Sequence, residues 1–337
     1  MKRFLSLITL GCILLWCIAL LPVGCIGEER YDNSPQGNFE ALWKLIDEHY
    51  CFFEYKQIDW DAVYERYRPL ITPNMPADGL FEVLGNMLAE LKDGHVNLYN
   101  ASNTARYWNW YLDYPRNYSE ALTEHYLGRD YRIAAGLKYT ILEDNIGYVR
   151  YDSFSDGVGD GNLDQVLSYL SACNGLILDV RNNGGGNLTN SDRIASRFTN
   201  QRVLTGYILH KRGKGHNDFS SPTPIYLEPS SSIRWQKKVV LLTNRRAFSA
   251  TNDFVNAMRY LPGVTVVGDK TGGGSGLPFT MELPNGWGVR FSASPHLDAD
   301  GGQIEFGIDP DVKVDLAAED EARMLDTLIE TARNLLK

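Results

Sequence analysis

The sequence has few cysteines, no excess of basic residues and only one long apolar run. Three of its five cysteines fall within the first 25 of 337 residues, and this scarcity excludes a scaffold held together by disulfides. The other two are Cys51 and Cys173, for which we expect buried free thiols. Lysine and arginine number 33 against 42 acidic residues, a formal charge of −9. Because nucleic-acid phosphates normally require a concentrated basic surface, we expect no nucleic-acid partner.

The one long apolar run lies at the N-terminus and has the pattern of an export signal. Lys2 and Arg3 supply positive charge, residues 4–21 are mainly apolar, and Gly24 precedes Cys25. The segment resembles a bacterial lipoprotein signal, in which cleavage before the cysteine is coupled to acylation of that cysteine.

We therefore predict a lipoprotein signal peptide over residues 1–24, lipid attachment at Cys25 and a tether over residues 25–37. An uncleaved signal anchor is the alternative, because the apolar run is nearly long enough to span a bilayer. Both interpretations place the rest of the chain in the cell envelope outside the inner membrane, at the periplasmic face or at the cell surface. No later run approaches this length, so we expect no further membrane span.

Hydrophobic periodicity divides the remaining chain into two parts. Helical spacing continues to the turn at residues 93–94, and it predicts a small N-terminal helical domain over residues 38–100. Residues 176–180 and 239–243 are continuous apolar runs, which is typical of strands covered on both faces. Each run is followed by turn residues and then by a helical pattern. We therefore predict an α/β core with parallel strands over residues 101–337.

The stretch after the second apolar strand could carry a nucleophile. Residues 244–258 read NRRAFSATNDFVNAM, so Ser249 lies at a corner between a strand and a helix. This location exposes a hydroxyl and aims free backbone N–H groups, including that of Ala250, at a developing oxyanion. The alternative is that Ser249 only caps the helix, since serine is a favoured N-cap residue.

A run of glycines follows the first apolar strand. Residues 179–187 read DVRNNGGGN, and consecutive glycines allow backbone N–H groups to approach a ligand closely. A plain loop is the alternative. The run matches neither the dinucleotide-binding pattern nor the P-loop pattern, and the acidic residues at 298–300 lack the further ligands of a calcium loop. We therefore expect no cofactor and no metal ion.

Together these elements resemble the C-terminal processing, tail-specific and tricorn-type serine peptidases of family S41. The resemblance implies a ClpP/crotonase-like fold and hydrolysis of peptide bonds through an acyl-enzyme. Six ordered segments carry it: LKDGHV at 91–96, IGYVRYDSF at 146–154, LILDVRNNGGG at 176–186, AFSAT at 247–251, VVGDKTGGG at 266–274 and EFGIDPDV at 305–312.

Members of this family differ in the base that activates the serine. The processing peptidases carry a lysine base about 25 positions after the serine, and Gly274 stands at that position here. Lys270 precedes Thr271, where family members often have a lysine that is not the base, and we interpret it as a surface charge. A serine hydroxyl needs a base in reach near neutral pH. His95 matches the histidine of the tricorn-type enzymes, so we predict that His95 activates Ser249.

An imidazole base works best when a third group fixes its tautomer. Glu305 occupies the acidic position of the tricorn-type pattern E-x-G-x-x-P-D, so the resemblance implies that Glu305 is the orienting acid. In tricorn-like enzymes a serine precedes the histidine and links it to the acid, whereas Gly94 precedes His95 here. Glu305 could contact His95 directly, through water or through another hydroxyl. A solvated loop carboxylate is the alternative for Glu305.

The predicted oxyanion donors are the backbone N–H groups of Gly185 and Ala250, with Gly184 as the alternative one position away. Only residues 98–138 separate the histidine from the first core strand, which are too few for a PDZ domain. We therefore expect the substrate to be a peptide or an unfolded protein segment that binds in the enzyme's own cleft. The alternative function is a lipoprotein that binds a peptide, lipid or glycan on a peptidase-like scaffold without cleaving it, which Gly94 and the missing lysine leave open. The sequence gives no prediction of oligomeric state.

Overall fold

A computed structural model describes residues 31–337 of the chain. The predicted signal peptide over residues 1–24, the lipid site at Cys25 and the first part of the predicted tether lie outside the described residues. Within residues 31–337, no helix has the length and apolar character needed to cross a membrane.

Within residues 31–337, four α-helices precede the first strand, and each buries at least one apolar side chain. In the first helix, the Ser34 side chain accepts a hydrogen bond from the Gly37 N–H at 3.0 Å, which caps the N-terminus. Phe39, Leu42 and Ile46 recur at helical spacing and are buried. The bounds are α1 (Pro35–His49), α2 (Phe53–Lys56), α3 (Trp60–Tyr67) and α4 (Ala77–Ala89).

The strands of the described chain form two sheets. In chain order they are β1 (Asn97–Tyr99), β2 (Thr104–Arg106), β3 (Arg132–Ala134), β4 (Leu137–Ile141), β5 (Gly147–Tyr151), β6 (Leu176–Asp179), β7 (Val203–Ile208), β8 (Thr223–Leu227), β9 (Val239–Thr243), β10 (Val264–Gly268), β11 (Gly276–Glu282), β12 (Gly288–Asp298) and β13 (Val312–Lys313). The helices among and after them are α5 (Glu120–Leu127), α6 (Asp160–Tyr169), α7 (Leu188–Ala195), α8 (Ala250–Arg259), α9 (Ala318–Glu321) and α10 (Thr327–Leu336).

The larger sheet has the strand order β13-β10-β9-β6-β5-β4-β3. Its central pairs β5–β6, β6–β9 and β9–β10 are parallel, and every residue of β6 and β9 is buried. Helix α10 covers one face of these strands, while α6 and α8 contribute to the hydrophobic cluster on the other face. Strands buried on both faces explain the continuous apolar runs of the sequence. The predicted α/β core with a helical N-terminal region is confirmed.

The smaller sheet joins the N-terminal helices to the core. Its strand order is β2-β1-β12-β7-β8, with β11 also paired to β12. Strand β1 follows α4 and pairs with the start of β12, where Asn97 lies opposite Arg290. Leu98, Val289 and Phe291 pack in one hydrophobic cluster with the apolar faces of the helices. Residues at the end of α4 are therefore fixed against the C-terminal half of the chain.

Asn33–Lys337 form one compact unit. The division into a helical domain over residues 38–100 and a core over residues 101–337 stays a prediction. Cys51 and Cys173 are both buried and free, so the prediction of two buried free cysteines is confirmed.

A buried ion network ties the last helix to the large sheet. Arg181, which follows β6, has no exposed surface. Its guanidinium donates to Asp179 at 2.7 Å and to Asp326 at 2.9 Å. Asp326 also caps α10, since its side chain accepts from the N–H groups of Leu328 and Ile329. The guanidinium therefore depends on both carboxylates to offset its loss of water.

Replacing Asp326 with alanine should lower the free energy of unfolding by about 3–5 kcal/mol, because Arg181 would stay buried with one partner fewer. Urea unfolding followed by circular dichroism measures this loss. Glu228→Ala is the control, since Glu228 pairs with Arg202 at the surface, where the two side chains are 65% and 59% exposed. It should cost less than about 1 kcal/mol. Equal losses in the two variants would contradict the role given to the buried network.

Candidate active site

Ser249 lies at the corner between β9 and α8 in a strained backbone conformation. Its φ of 60° and ψ of −125° are unusual for a residue with a side chain, and such a conformation costs about 1–3 kcal/mol. The Ser249 N–H donates to the Gly273 carbonyl at 2.8 Å, which holds the corner in place. The side chain makes no capping hydrogen bond to α8. An N-cap role therefore does not explain this serine, and its hydroxyl remains available for chemistry.

His95 lies beside Ser249 although 154 positions separate them in the chain. The turn that ends α4 carries His95 inward, two positions before β1, and the side chain is buried with 3% exposure. His95 Nε2 lies 2.8 Å from Ser249 Oγ. The Phe248 ring packs on the imidazole with 4.9 Å between ring centroids. The structure thus brings together the two side chains that the sequence proposed as base and nucleophile.

The glycine before the histidine has a packing reason. A Cβ atom at Gly94 would lie 2.9 Å from Phe248 Cζ and 2.9 Å from Trp110 Nε1. Trp110 stacks on Phe248, with 4.6 Å between centroids, and Phe248 in turn contacts His95. A serine side chain at position 94 would collide with the rings of Phe248 and Trp110. There is therefore no space here for the serine hydroxyl that connects the histidine to the acid in tricorn-like enzymes.

The surroundings of His95 favour a neutral imidazole. Burial lowers the pKa of His95 to about 4, and the charges of Arg290 and Lys56 act in the same direction, while Asp93 and Asp253 oppose them. The Nδ1 atom has no hydrogen-bond partner in the described part of the chain. At neutral pH the ring is therefore uncharged and can accept a proton.

Glu305 lies in the site but does not hydrogen-bond to His95. Its Oε1 atom lies 2.8 Å from Lys56 Nζ, and Oε2 accepts from the Ser275 N–H at 2.8 Å. Lys56 Nζ also lies 3.3 Å from Asp93 Oδ2. Of the three ways in which Glu305 could contact His95, the direct hydrogen bond is therefore absent. A side-chain contact connects it instead to Lys56, and through Lys56 to Asp93.

Asp93 is the carboxylate that touches His95. Its Oδ1 atom accepts from the His95 backbone N–H at 2.8 Å, and its Oδ2 atom accepts from the hydroxyls of Tyr50 at 2.9 Å and Ser292 at 3.0 Å. Burial alone would raise the pKa of Asp93. The charges of Lys56 and His95 and the hydrogen bonds together have a larger effect in the opposite direction, so the net shift is downward. Asp93 therefore stays ionised while it holds the turn that carries His95.

The pKa values of the two carboxylates that share Lys56 are shifted in opposite directions. Burial raises the pKa of Glu305 to about 7, Lys56 opposes this rise, and the charge of Asp93 adds to it. Two buried carboxylates with one ammonium between them carry a net negative charge unless one of them takes a proton. The hydrogen bonds to Asp93 favour its ionised form, so Glu305 is the member that protonates first.

Sequence reasoning missed Lys56 and Asp93. Asp93 is part of the LKDGHV segment, so its position two residues before the histidine was a usable signal. Lys56 ends a short helix of four residues, and nothing in the spacing of the sequence distinguishes it from a surface lysine.

Gly185 and Ala250 lie against Ser249. A Cβ atom at Gly185 would lie 2.8 Å from Ser249 Cβ and 2.9 Å from Ala250 N, so only glycine fits against the serine. The Gly185 N–H already donates to Asn183 Oδ1 at 3.0 Å. Within residues 31–337, the N–H groups of Gly184 and Ala250 have no such acceptor. Ala250 and the glycine run together can therefore offer free N–H groups to an oxyanion.

The other candidate groups lie apart from this chemistry. Lys270 is at the surface, where its Nζ lies 3.4 Å from Asp309, whose side chain is 78% exposed. This agrees with its interpretation as a surface charge. Nowhere in residues 31–337 do three or more His, Cys, Asp or Glu side chains come together in a way that could hold a metal ion.

Comparisons with known proteins match two parts of the chain to peptidase families. The model of peptidase family S41 matches residues 145–314, and that of the tricorn protease C1 domain matches residues 31–89. A chloroplastic C-terminal processing peptidase of Tetradesmus obliquus is 28% identical over 185 residues, which are 54% of this chain and 38% of that protein. The tricorn protease of Thermoplasma acidophilum is 31% identical over 178 residues, which are 49% of this chain and 15% of that protein. The matched part thus spans little more than a third of the first relative and less of the second.

A solved structure matches over a greater length. The crystal structure of a Parabacteroides merdae protein assigned as a peptidase is 57% identical and superposes with a TM-score of 0.87. The match covers 90% of this chain and 97% of that chain. Since the family model also spans half of the sequence, the chain belongs to peptidase family S41, a family of serine peptidases.

Proposed function

We propose that the chain hydrolyses peptide bonds through an acyl-enzyme, with Ser249 as the nucleophile and His95 as its base. The observation that carries this proposal is the separation of 2.8 Å between His95 Nε2 and Ser249 Oγ. A nucleophile and a base within hydrogen-bonding distance are the minimum machinery for acyl transfer. The strained corner at Ser249 supports it further, because such strain concentrates at functional sites.

The proposed cycle uses only groups of this chain. Neutral His95 takes the hydroxyl proton of Ser249 as Oγ attacks the peptide carbonyl, and the imidazolium then gives that proton to the leaving amine. Water attacks the acyl-enzyme in the second half, again with His95 as the base. The oxyanion is held by the Ala250 N–H and by the glycine run, where Gly185 adjoins the serine and Gly184 has the free N–H. Glu305 acts as the orienting acid indirectly, since it has no hydrogen bond to the imidazole.

The proposed substrate is a peptide or an unfolded protein segment. Between β1 and β4 the chain forms only β2, α5, β3 and their loops. This supports substrate binding in the cleft of the peptidase unit itself. A binding protein that does not cleave is the second candidate from the sequence. The His95–Ser249 contact and the free Ala250 N–H favour the peptidase.

Labelling with a fluorophosphonate tests the nucleophile. Such a probe should label the wild type, while Ser249→Ala should not react, and His95→Gln should react at least about 10³-fold more slowly because the base is lost. Labelling is measured by in-gel fluorescence over time.

Two matched controls accompany this experiment. Ser119 also occupies a helix N-cap position without a capping hydrogen bond, and His125 is an exposed histidine far from the site in sequence. Ser119→Ala and His125→Gln should react like the wild type. A folded wild type that binds peptide but takes up no probe would favour the binding protein instead.

The pH dependence should report the unusual pKa of His95. Acid removes activity by protonating Nε2, so kcat/KM should rise with pH through an apparent pKa near 4 and be independent of this group above about pH 6. Initial rates on a fluorogenic peptide measure the profile, with circular dichroism at each pH to show that the enzyme is folded. An acid limb near 6.5 with a folded enzyme would contradict the buried, neutral imidazole.

We also propose that a lipid at Cys25 holds the enzyme in the cell envelope, on the basis of the export-signal pattern in residues 1–24. In a bacterial host, an alkyne fatty acid should label the wild type and the Cys17→Ala variant but not Cys25→Ala. Cys25→Ala should also keep residues 1–24, because cleavage is coupled to acylation of the cysteine. The intact mass of the purified protein shows whether residues 1–24 have been removed. A wild type that keeps residues 1–24 and carries no lipid would instead identify an uncleaved signal anchor.

A further inference from the structure

A lysine in the N-terminal helical region is buried beside the proposed active site. The Lys56 side chain is only 5% exposed, and its ammonium lies 5.4 Å from the centre of the Phe52 ring and 5.9 Å from that of Tyr50. Removing an ammonium from water is costly unless opposite charges and hydrogen bonds compensate for it. A buried lysine therefore needs neighbouring groups that stabilise its charge.

The groups that compensate for the buried charge of Lys56 come from distant parts of the sequence. Lys56 Nζ lies 2.8 Å from Glu305 and 3.3 Å from Asp93, and it also donates to the Lys92 carbonyl at 3.4 Å. Asp93 then accepts the His95 N–H. The contacts therefore run without a break from Glu305 through Lys56 and Asp93 to the backbone of His95.

Burial has the largest effect on the protonation of His95, and charges on four sides modify it. Asp93 lies in the turn that carries the histidine, Lys56 on α2, Arg290 on β12 and Asp253 on α8. The two carboxylates favour the imidazolium, while burial and the two cations favour the neutral ring. Lys56 is the cation that contacts Asp93 directly, so it screens the nearest negative charge from the imidazole.

We propose, on the basis of the proposed function, that Lys56 is a positioning residue for the His95–Ser249 pair. Its ammonium forms ion pairs with Asp93 and Glu305, fixes the turn that presents His95, and keeps the imidazole in the neutral form that accepts the serine proton. Glu305 acts on the base only through this lysine. The helical region thereby supplies two groups of the active site, Lys56 and Asp93, in addition to His95 itself.

Lys56→Met tests this role, with Lys270→Met as the control at a lysine outside the site whose side chain is 28% exposed. Without the ammonium, ionised Asp93 faces His95 unscreened, so the acid limb of kcat/KM should move up by about one pH unit. The rate of fluorophosphonate labelling at pH 4 should then fall about fivefold and the rate at pH 8 should fall less. Lys270→Met should follow the wild type at both pH values.

Glu305→Gln separates charge from packing in the same experiment. Because the pKa of Glu305 is raised to about 7, the group is already protonated near pH 4–5, and the amide should leave the acid limb in place. A purely structural role for Lys56 would lower the rate at all pH values without moving the limb. Circular dichroism identifies variants that fail to fold, and Lys56→Gln, which keeps a donor toward Glu305, then replaces the methionine variant with the same expected shift.

The outcomes are distinct. A folded Lys56 variant whose acid limb coincides with that of Lys270→Met would overturn the role of Lys56 while leaving the proposed peptidase intact. Absence of labelling in the wild type at every pH would instead contradict the proposed function. An upward shift confined to the Lys56 variants supports the proposal.

Discussion

The contact between His95 Nε2 and Ser249 Oγ depends on two parts of the chain meeting at 2.8 Å. Neither part fixes its side chain alone. The pairing of β1 with β12 places the turn after α4 against the core, and the corner between β9 and α8 lifts the serine toward it. The contact therefore depends on the position of the smaller sheet relative to the larger one.

Buried charge adds a second constraint on the same contact. Lys56, Asp93 and Glu305 hold one another in a site with little access to water, and Asp93 passes that constraint to the backbone of His95. Desolvation would be unfavourable for each group alone, yet together they hold the turn that carries His95. The helices before β1 thus contribute to the chemistry of the site as well as to its packing.

The sequence predicted those features that depend on local pattern. The apolar runs of β6 and β9 predicted the parallel core, and ordered motifs led to Ser249 and His95 as neighbours. Lys56 was not predictable, because its partners lie up to 249 positions away and its own segment looks like a solvated helix end. The prediction of how Glu305 contacts His95 was incomplete for a similar reason. Trp110 and Phe248 occupy the space where a serine at position 94 would have connected it to the histidine.

In the proposed mechanism, a neutral, buried imidazole activates a strained serine. The most direct test is a crystal structure of the enzyme after reaction with a fluorophosphonate. The account predicts phosphorus bonded to Ser249 Oγ, His95 Nε2 still within hydrogen-bonding distance of that oxygen, and a phosphonyl oxygen facing the Ala250 N–H. An adduct on another residue, or a His95 ring turned away from Ser249, would contradict it.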